Sequence, residues 1–125
     1  MRSELVAIKS DDFIGTVHHE GTELTAKLKG TADYAALEGL DKLLSRTHAE
    51  AKRLGARKVV IDLRELEFMN SSSFKVFVTW LALLQELATD KQYRIHFRSN
   101  PNLHWQRRSL AALSCFAVDL VAIET

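Results

Sequence analysis

The stretch "RKVVIDL" (57–63) does most to limit the folds open to this chain. Its β-branched run Val59-Val60-Ile61 suits a strand covered on both faces, and such strands sit inside sheets rather than at their edges. A central strand of this kind needs strands beside it and helices laid over them. The segments on either side supply both.

Ahead of it, 4–9 and 13–19 read as short strands broken by the polar "SDD" at 10–12. The next segment, 22–29, alternates: Leu24, Ala26 and Leu28 face one way, Glu23, Thr25, Lys27 and Lys29 the other, and Gly21 supplies the hairpin turn before it. Gly30 is expected to end that strand, and Asp33 offers a side-chain cap to a helix. In that helix Leu37, Leu40, Leu44, Ala51 and Leu54 share a stripe with His48, and Gly55 lies at its C-cap. Beyond the central strand, a second helix covers 71–88, a strand 93–99, a third helix 102–114 started by Asn100-Pro101, and a last strand 118–124. The order is three strands, then helix and strand three times over. Strands joined through helices run parallel by right-handed crossovers, so the expected fold is α/β: a mixed β-sheet with helices packed on it. Loops beyond the carboxyl ends of such strands are the usual binding sites.

No linker or internal repeat divides the chain, and its 125 residues fit one domain, 1–125. With 46% apolar and 26% charged residues it has the make-up of a soluble globular protein. Seventeen basic against sixteen acidic residues leave a net charge of +1, which gives no pull toward nucleic acid or an anionic membrane. No apolar run is long enough for a signal peptide or a membrane span, so a cytoplasmic protein is expected. Cys115, the only cysteine, sits in "LAALSCFAV" and reads as a buried, inert thiol.

Chemistry is sparse. His18, His19, His48, His96 and His104 lack metal-ligand spacing, and no glycine motif for phosphate occurs, so no metal or cofactor is expected. No Gly-x-Ser-x-Gly elbow surrounds a serine, and the carboxylates form no evident acid/base pair, which argues against an enzyme. Arg107 and Arg108 in "HWQRRSL" are candidate anion contacts, with a solvated helix surface as the plain alternative. The second helix is apolar on two sides: Phe74, Phe77, Leu81, Leu84 and Ala88 on one, Val76, Trp80, Leu83 and Leu87 on the other. Both can be buried by sheet and neighbouring helix. Alternatively, Val76, Trp80 and Leu83 form a partly exposed surface for a partner or a homodimer.

The least ordinary local feature is "MNSSSF". Asn70 can cap the second helix, leaving Ser71, Ser72 and Ser73 in its first turn. Backbone N–H groups there lack intrahelical partners and the helix dipole is positive, so a phosphate on Ser71 or Ser72 is tolerated. Simple capping accounts for the same residues.

"KVVIDLRELEFMNSSSFKVFVTWL" (58–81) resembles the central segment of STAS domains, the anti-sigma factor antagonists. In that family a buried strand ends in Asp, an apolar residue follows, and Asp-Ser-Ser-Gly opens a helix. Asp62 and Leu63 match the strand end, Phe68-Met69 the apolar pair, and "LKGTAD" (28–33) a leucine-x-glycine step before the first helix. Asn70 stands where the family has Asp, and Ser73 where it has Gly. The resemblance implies a STAS-like domain that binds an anti-sigma factor or a serine kinase-like regulator in a partner switch. It also implies that Ser71 is the phosphoacceptor, with Asn70, Ser72 and Ser73 shaping the partner contact; Val76 and Trp80 join that expected contact from the apolar stripe of the second helix, not from the resemblance. Transcription regulation is the implied output. A small-ligand or nucleotide sensor on the same fold, or a structural subunit of a larger signalling assembly, are the alternatives.

Overall fold

A computed structural model describes residues 2–125. Six strands, β1 (Arg2–Ser10), β2 (Phe13–Glu20), β3 (Glu23–Ala32), β4 (Lys58–Met69), β5 (Arg94–Arg98) and β6 (Val121–Glu124), form one sheet in chain order. The first three are joined by hairpins and run antiparallel; β3, β4, β5 and β6 are parallel. The helices α1 (Leu37–Leu54), α2 (Ser71–Gln85) and α3 (His104–Phe116) each connect one parallel strand to the next. All three crossovers advance the same way along the sheet. Right-handed crossovers of that kind place every helix on the same face. The mixed α/β sheet expected from the element order is the one found.

The core lies between that face and the helices. Leu24, Ala26 and Leu28 of β3, Val59, Ile61 and Leu63 of β4, and Ile95 and Phe97 of β5 pack there against Leu40, Leu43 and Leu44 of α1 and Phe77, Trp80, Leu81 and Leu84 of α2. Val60 is as buried as its neighbours but points to the other face, between Thr25 and His96. No helix covers it there. β4 is thus buried on both faces as expected, but helices pack on only one of them.

That second face carries a charged lattice. Arg64 grips Asp62 with Nε and Nη2 at 3.0 and 2.8 Å, Lys27 meets Glu65 at 2.7 Å, and His96 meets Glu124 at 3.0 Å. Burial alone would raise the Asp62 carboxyl, but the hydrogen bonds and charge of Arg64, with Lys27 nearby, hold it below its ordinary value. The bond from His96 holds Glu124 down in the same sense.

Several boundaries differ from the sequence reading. Gly30 does not end β3; the strand runs on to Ala32. Gly30 holds φ at +98°, and a Cβ there would lie 1.9 Å from the Asp12 carbonyl oxygen, so the β1–β2 turn crosses at that point and only glycine fits. β4 continues through "RELEFM" because its register slips against β3 between 62 and 65 and again between 66 and 68. Each slip inserts an extra residue and breaks the two-residue alternation. Gln106 of α3, fully buried, donates to the Leu63 and Leu66 carbonyls across the first of these bulges and accepts from the Asn100 N–H. Asn100-Pro101 makes a turn, with Asn102 N–H on the Asn100 side chain, and α3 begins only at His104. Cys115 is exposed near the end of α3, not buried, since that helix buries Gln106, Leu110 and Leu113 instead.

Candidate functional site

The carboxyl end of β4 delivers the chain to α2 through one residue. Asn70 has extended backbone and its side chain accepts from Ser73 N–H at 2.8 Å, satisfying an amide that the helix leaves open. The Asn70 N–H in turn donates to the Ala32 carbonyl at 3.0 Å. Ser73 is fully buried and its hydroxyl donates to the same carbonyl at 3.1 Å. Two bonds thus fasten the start of α2 to the end of β3.

The three serines have three fates. Ser73 faces inward, so its expected place among partner contacts is corrected: the side chain has no surface to offer. Ser72 is half-buried and lines a shallow groove of about 360 Å³ between α1 and α2, with Leu37, Glu38 and Asp41 on one wall and Lys75, Val76 and Thr79 on the other. Ser71 alone is exposed. It stands in the first turn of α2, one helical turn from the exposed Lys75.

Large apolar side chains surround this turn. Tyr34, in the 3-10 turn Tyr34–Ala36 that Asp33 caps after β3, is 81% exposed, and Phe68 near the end of β4 is 47% exposed. Thr31 and Ala32 pair with Phe68 and Met69, so the ends of β3 and β4 hold both rings on the rim from which α2 starts. The sequence reading noted Phe68 only as a motif match and passed over Tyr34. Its signal was available: a tyrosine directly after a capping aspartate, outside every apolar stripe.

Trp80 is 2% exposed. The expectation of a partly exposed Trp80 surface is corrected, and the side chain is spoken for: its indole N–H donates to the Tyr93 oxygen at 2.7 Å. The Tyr93 hydroxyl lies 2.7 Å from Nδ1 of His48. The Tyr93 hydroxyl accepts from Trp80 and stands within hydrogen-bond reach of His48, so one oxygen joins the two side chains. Burial and the nearby Lys52 charge both press the imidazole toward its neutral form. The buried stripe of α2 is therefore Ser73, Phe77, Trp80, Leu81 and Leu84, with Leu83 exposed and Val76 half-buried.

The arginine pair lies on a different helix from the serine turn, and the cleft beside it shares no lining residue with the α1–α2 groove. Arg107 and Arg108 are both exposed on α3; Arg107, but not Arg108, lines a cleft of about 240 Å³ beside β6. Among the described residues, no group of three or more His, Cys, Asp and Glu side chains is placed to hold a metal ion, and no helix is long and apolar enough to cross a membrane.

No family model and no curated protein matches the sequence. Solved structures do. An anti-sigma factor antagonist from Mycobacterium paratuberculosis superposes with a TM-score of 0.65 at 14% identity, over 90% of this chain and 85% of the other. The anti-sigma factor antagonist SpoIIAA in its unphosphorylated form superposes with a TM-score of 0.60 at 15% identity, over 89% and 88%. The resemblance first seen around residues 58–81 thus extends, as shape, along nearly the whole chain, which has the STAS-like fold of these anti-sigma factor antagonists.

Proposed function

We propose that residues 1–125 act as one STAS-like regulatory domain without catalysis of its own. It binds an anti-sigma factor or a related serine kinase-like regulator through the surface around the start of α2, and phosphorylation of Ser71 switches that binding off. The observation that carries the reading is the placement of Ser71. Of three consecutive serines it alone is exposed, at a capped helix start whose next residues, Ser72 and Val76, line a groove, and the strand ends leading to it carry the exposed rings of Tyr34 and Phe68. Apolar rings beside a small polar centre are the composition of a docking surface. A phosphate on Ser71 would add about two negative charges to its middle.

The free amides at the helix start would tolerate that phosphate, and Lys75 one turn on would share in holding it. Asn70 caps the helix as an aspartate would, without a carboxylate beside the acceptor. The kinase that modifies Ser71 therefore meets a neutral side chain at the preceding position.

The test uses wild-type, Ser71→Ala and Ser71→Glu domains as baits in native lysate, with bound proteins identified by mass spectrometry. A kinase-like or anti-sigma protein held by wild type and Ser71→Ala but released by Ser71→Glu is the expected result. Equal retention by all three baits would remove phospho-control at Ser71, and Asn70 with its serines would then be a helix cap and nothing more.

A further inference from the structure

The far edge of the sheet carries a second surface, distinct from the serine turn. β6 is the last strand in the order, and among the described residues nothing pairs with its outer side. The Leu120 and Glu124 carbonyls accept from Ile95 and Ser99 N–H groups, each at 2.7 Å, so they point to β5. With the two-residue repeat of a strand, Val121 and Ile123 direct their backbone groups the opposite way. The Val121 N–H is taken by the Ala117 carbonyl at 3.2 Å. That leaves the Val121 C=O and both the N–H and C=O of Ile123 on the open edge.

The same edge borders the cleft of about 240 Å³ noted above. Its floor and walls are apolar, from Leu110 and Ala111 of α3, Leu103 before it, and Ile123, whose side chain is 43% exposed on the helix face of β6. At the end where β6 finishes, His104 and Arg107 line the cleft beside Ser99, Asn100 and Thr125, and no acidic side chain does. The one acidic side chain on that stretch of β6, Glu124, is turned to the opposite face and held by His96. Leu103 at the helix start offers no side-chain cap, so the first amides of α3 add to the positive character of that end.

We propose that the edge of β6 and the α3 cleft form a strand-addition site for an extended segment of a partner protein, apolar at alternate positions and carrying an acidic residue beside Arg107. Main-chain bonds to Val121 and Ile123 hold the segment in register with β6. Every second side chain enters the cleft over Ile123 and Leu110, and the acid meets Arg107 and the start of α3. This division, backbone for affinity and alternate pockets for selectivity, is the general logic of strand addition. The edge of β1 at the other side of the sheet differs in chemistry: it is studded with the exposed charges of Glu4 and Lys9.

The test pans a random heptapeptide phage library on the purified domain and measures the consensus peptide by fluorescence anisotropy. Ile123→Pro removes an N–H that the β5–β6 ladder does not use, at an edge position where proline is tolerated. Arg107→Glu reverses the charge on exposed helix surface and leaves the fold alone. The expected result is a consensus with alternating apolar residues and one acid. Each variant weakens it by roughly tenfold or more, a loss of about 1.4 kcal/mol, and backbone amide shifts fall in 103–111 and 121–124. The proposal is overturned if no consensus emerges, if both variants bind it as wild type does, or if the shifts fall in the α1–α2 groove. Self-association abolished by Ile123→Pro without any peptide binding would overturn it too, by making a second copy the occupant.

Discussion

Asn70, Ser71, Ser72 and Ser73 are adjacent and chemically alike, yet a helix start sends their side chains in four directions. Helical geometry turns each successive side chain by about 100°, so one of three consecutive residues meets the core, one the groove and one the solvent. The consequences for stability follow residue by residue. Asn70→Ala removes the cap of α2 and is expected to cost about 1 kcal/mol in denaturant unfolding. Ser73→Ala, which loses a buried bond to Ala32 that Asn70 N–H partly duplicates, should cost about 1 kcal/mol. Ser71→Ala, exposed and unbonded, should stay within about 0.5 kcal/mol of wild type. A destabilisation by Ser71→Ala equal to that of Ser73→Ala would contradict the placement of the two hydroxyls. The motif was legible in sequence as a cap followed by serines. Which serine faced solvent was not, because that depends on where the β3 carbonyl of Ala32 lies, forty-one residues away in the chain.

The helices and strands show where periodicity carries an argument and where it fails. α1 was readable from its stripe, and its buried set of Leu40, Leu44, His48 and Ala51 agrees, with Leu43 and Thr47 added. β4 was readable only to Leu63, because two bulges shift the phase of its apolar residues and no propensity marks a bulge of this kind. The second stripe on α2 was ambiguous for another reason: Trp80 faces a hydroxyl from the edge of β5, and a buried polar partner leaves no trace in the helix sequence. The element that joins α1, α2 and β5 is the His48–Tyr93–Trp80 chain. Tyr93→Phe keeps the ring and deletes the shared hydroxyl, leaving two buried nitrogens without partners; an unfolding cost of about 2 kcal/mol is expected. The same chain makes stability depend on pH. His48 holds a proton less tightly when folded than its ordinary value of 6.5, so below that value the unfolded chain binds more protons. Stability is then full above about pH 6.5 and declines as pH falls through it. His48→Gln should flatten that decline, which thermal unfolding between about pH 5 and 8 would reveal.

At the scale of the whole molecule, three crossovers in one direction leave the sheet with a helical face and a charged face. The charged face has its own acid limb. Asp62 and Glu124 are held below their ordinary values of 3.8 and 4.5, so the stability they add is present above those values and is lost as pH falls through the lower values they have when folded. Asp62→Asn should flatten the unfolding curve in this range without altering the limb that His48 governs. A single transition shared by both variants would show that the two faces are not independent. The one-sided layering was not legible in sequence, because the element order admits strand arrangements that would place helices on both faces.

The identity of chain order and strand order has a kinetic consequence. Each strand pairs with the one made just before it, so most of the sheet's contacts close over no more than one intervening helix, and the cost of closing such loops is small. A chain leaving the ribosome can add strands to a growing sheet one at a time, never waiting for a distant segment to fill a gap between two already made. At every stage the unfinished sheet presents a single advancing edge, which each new strand covers and replaces with its own.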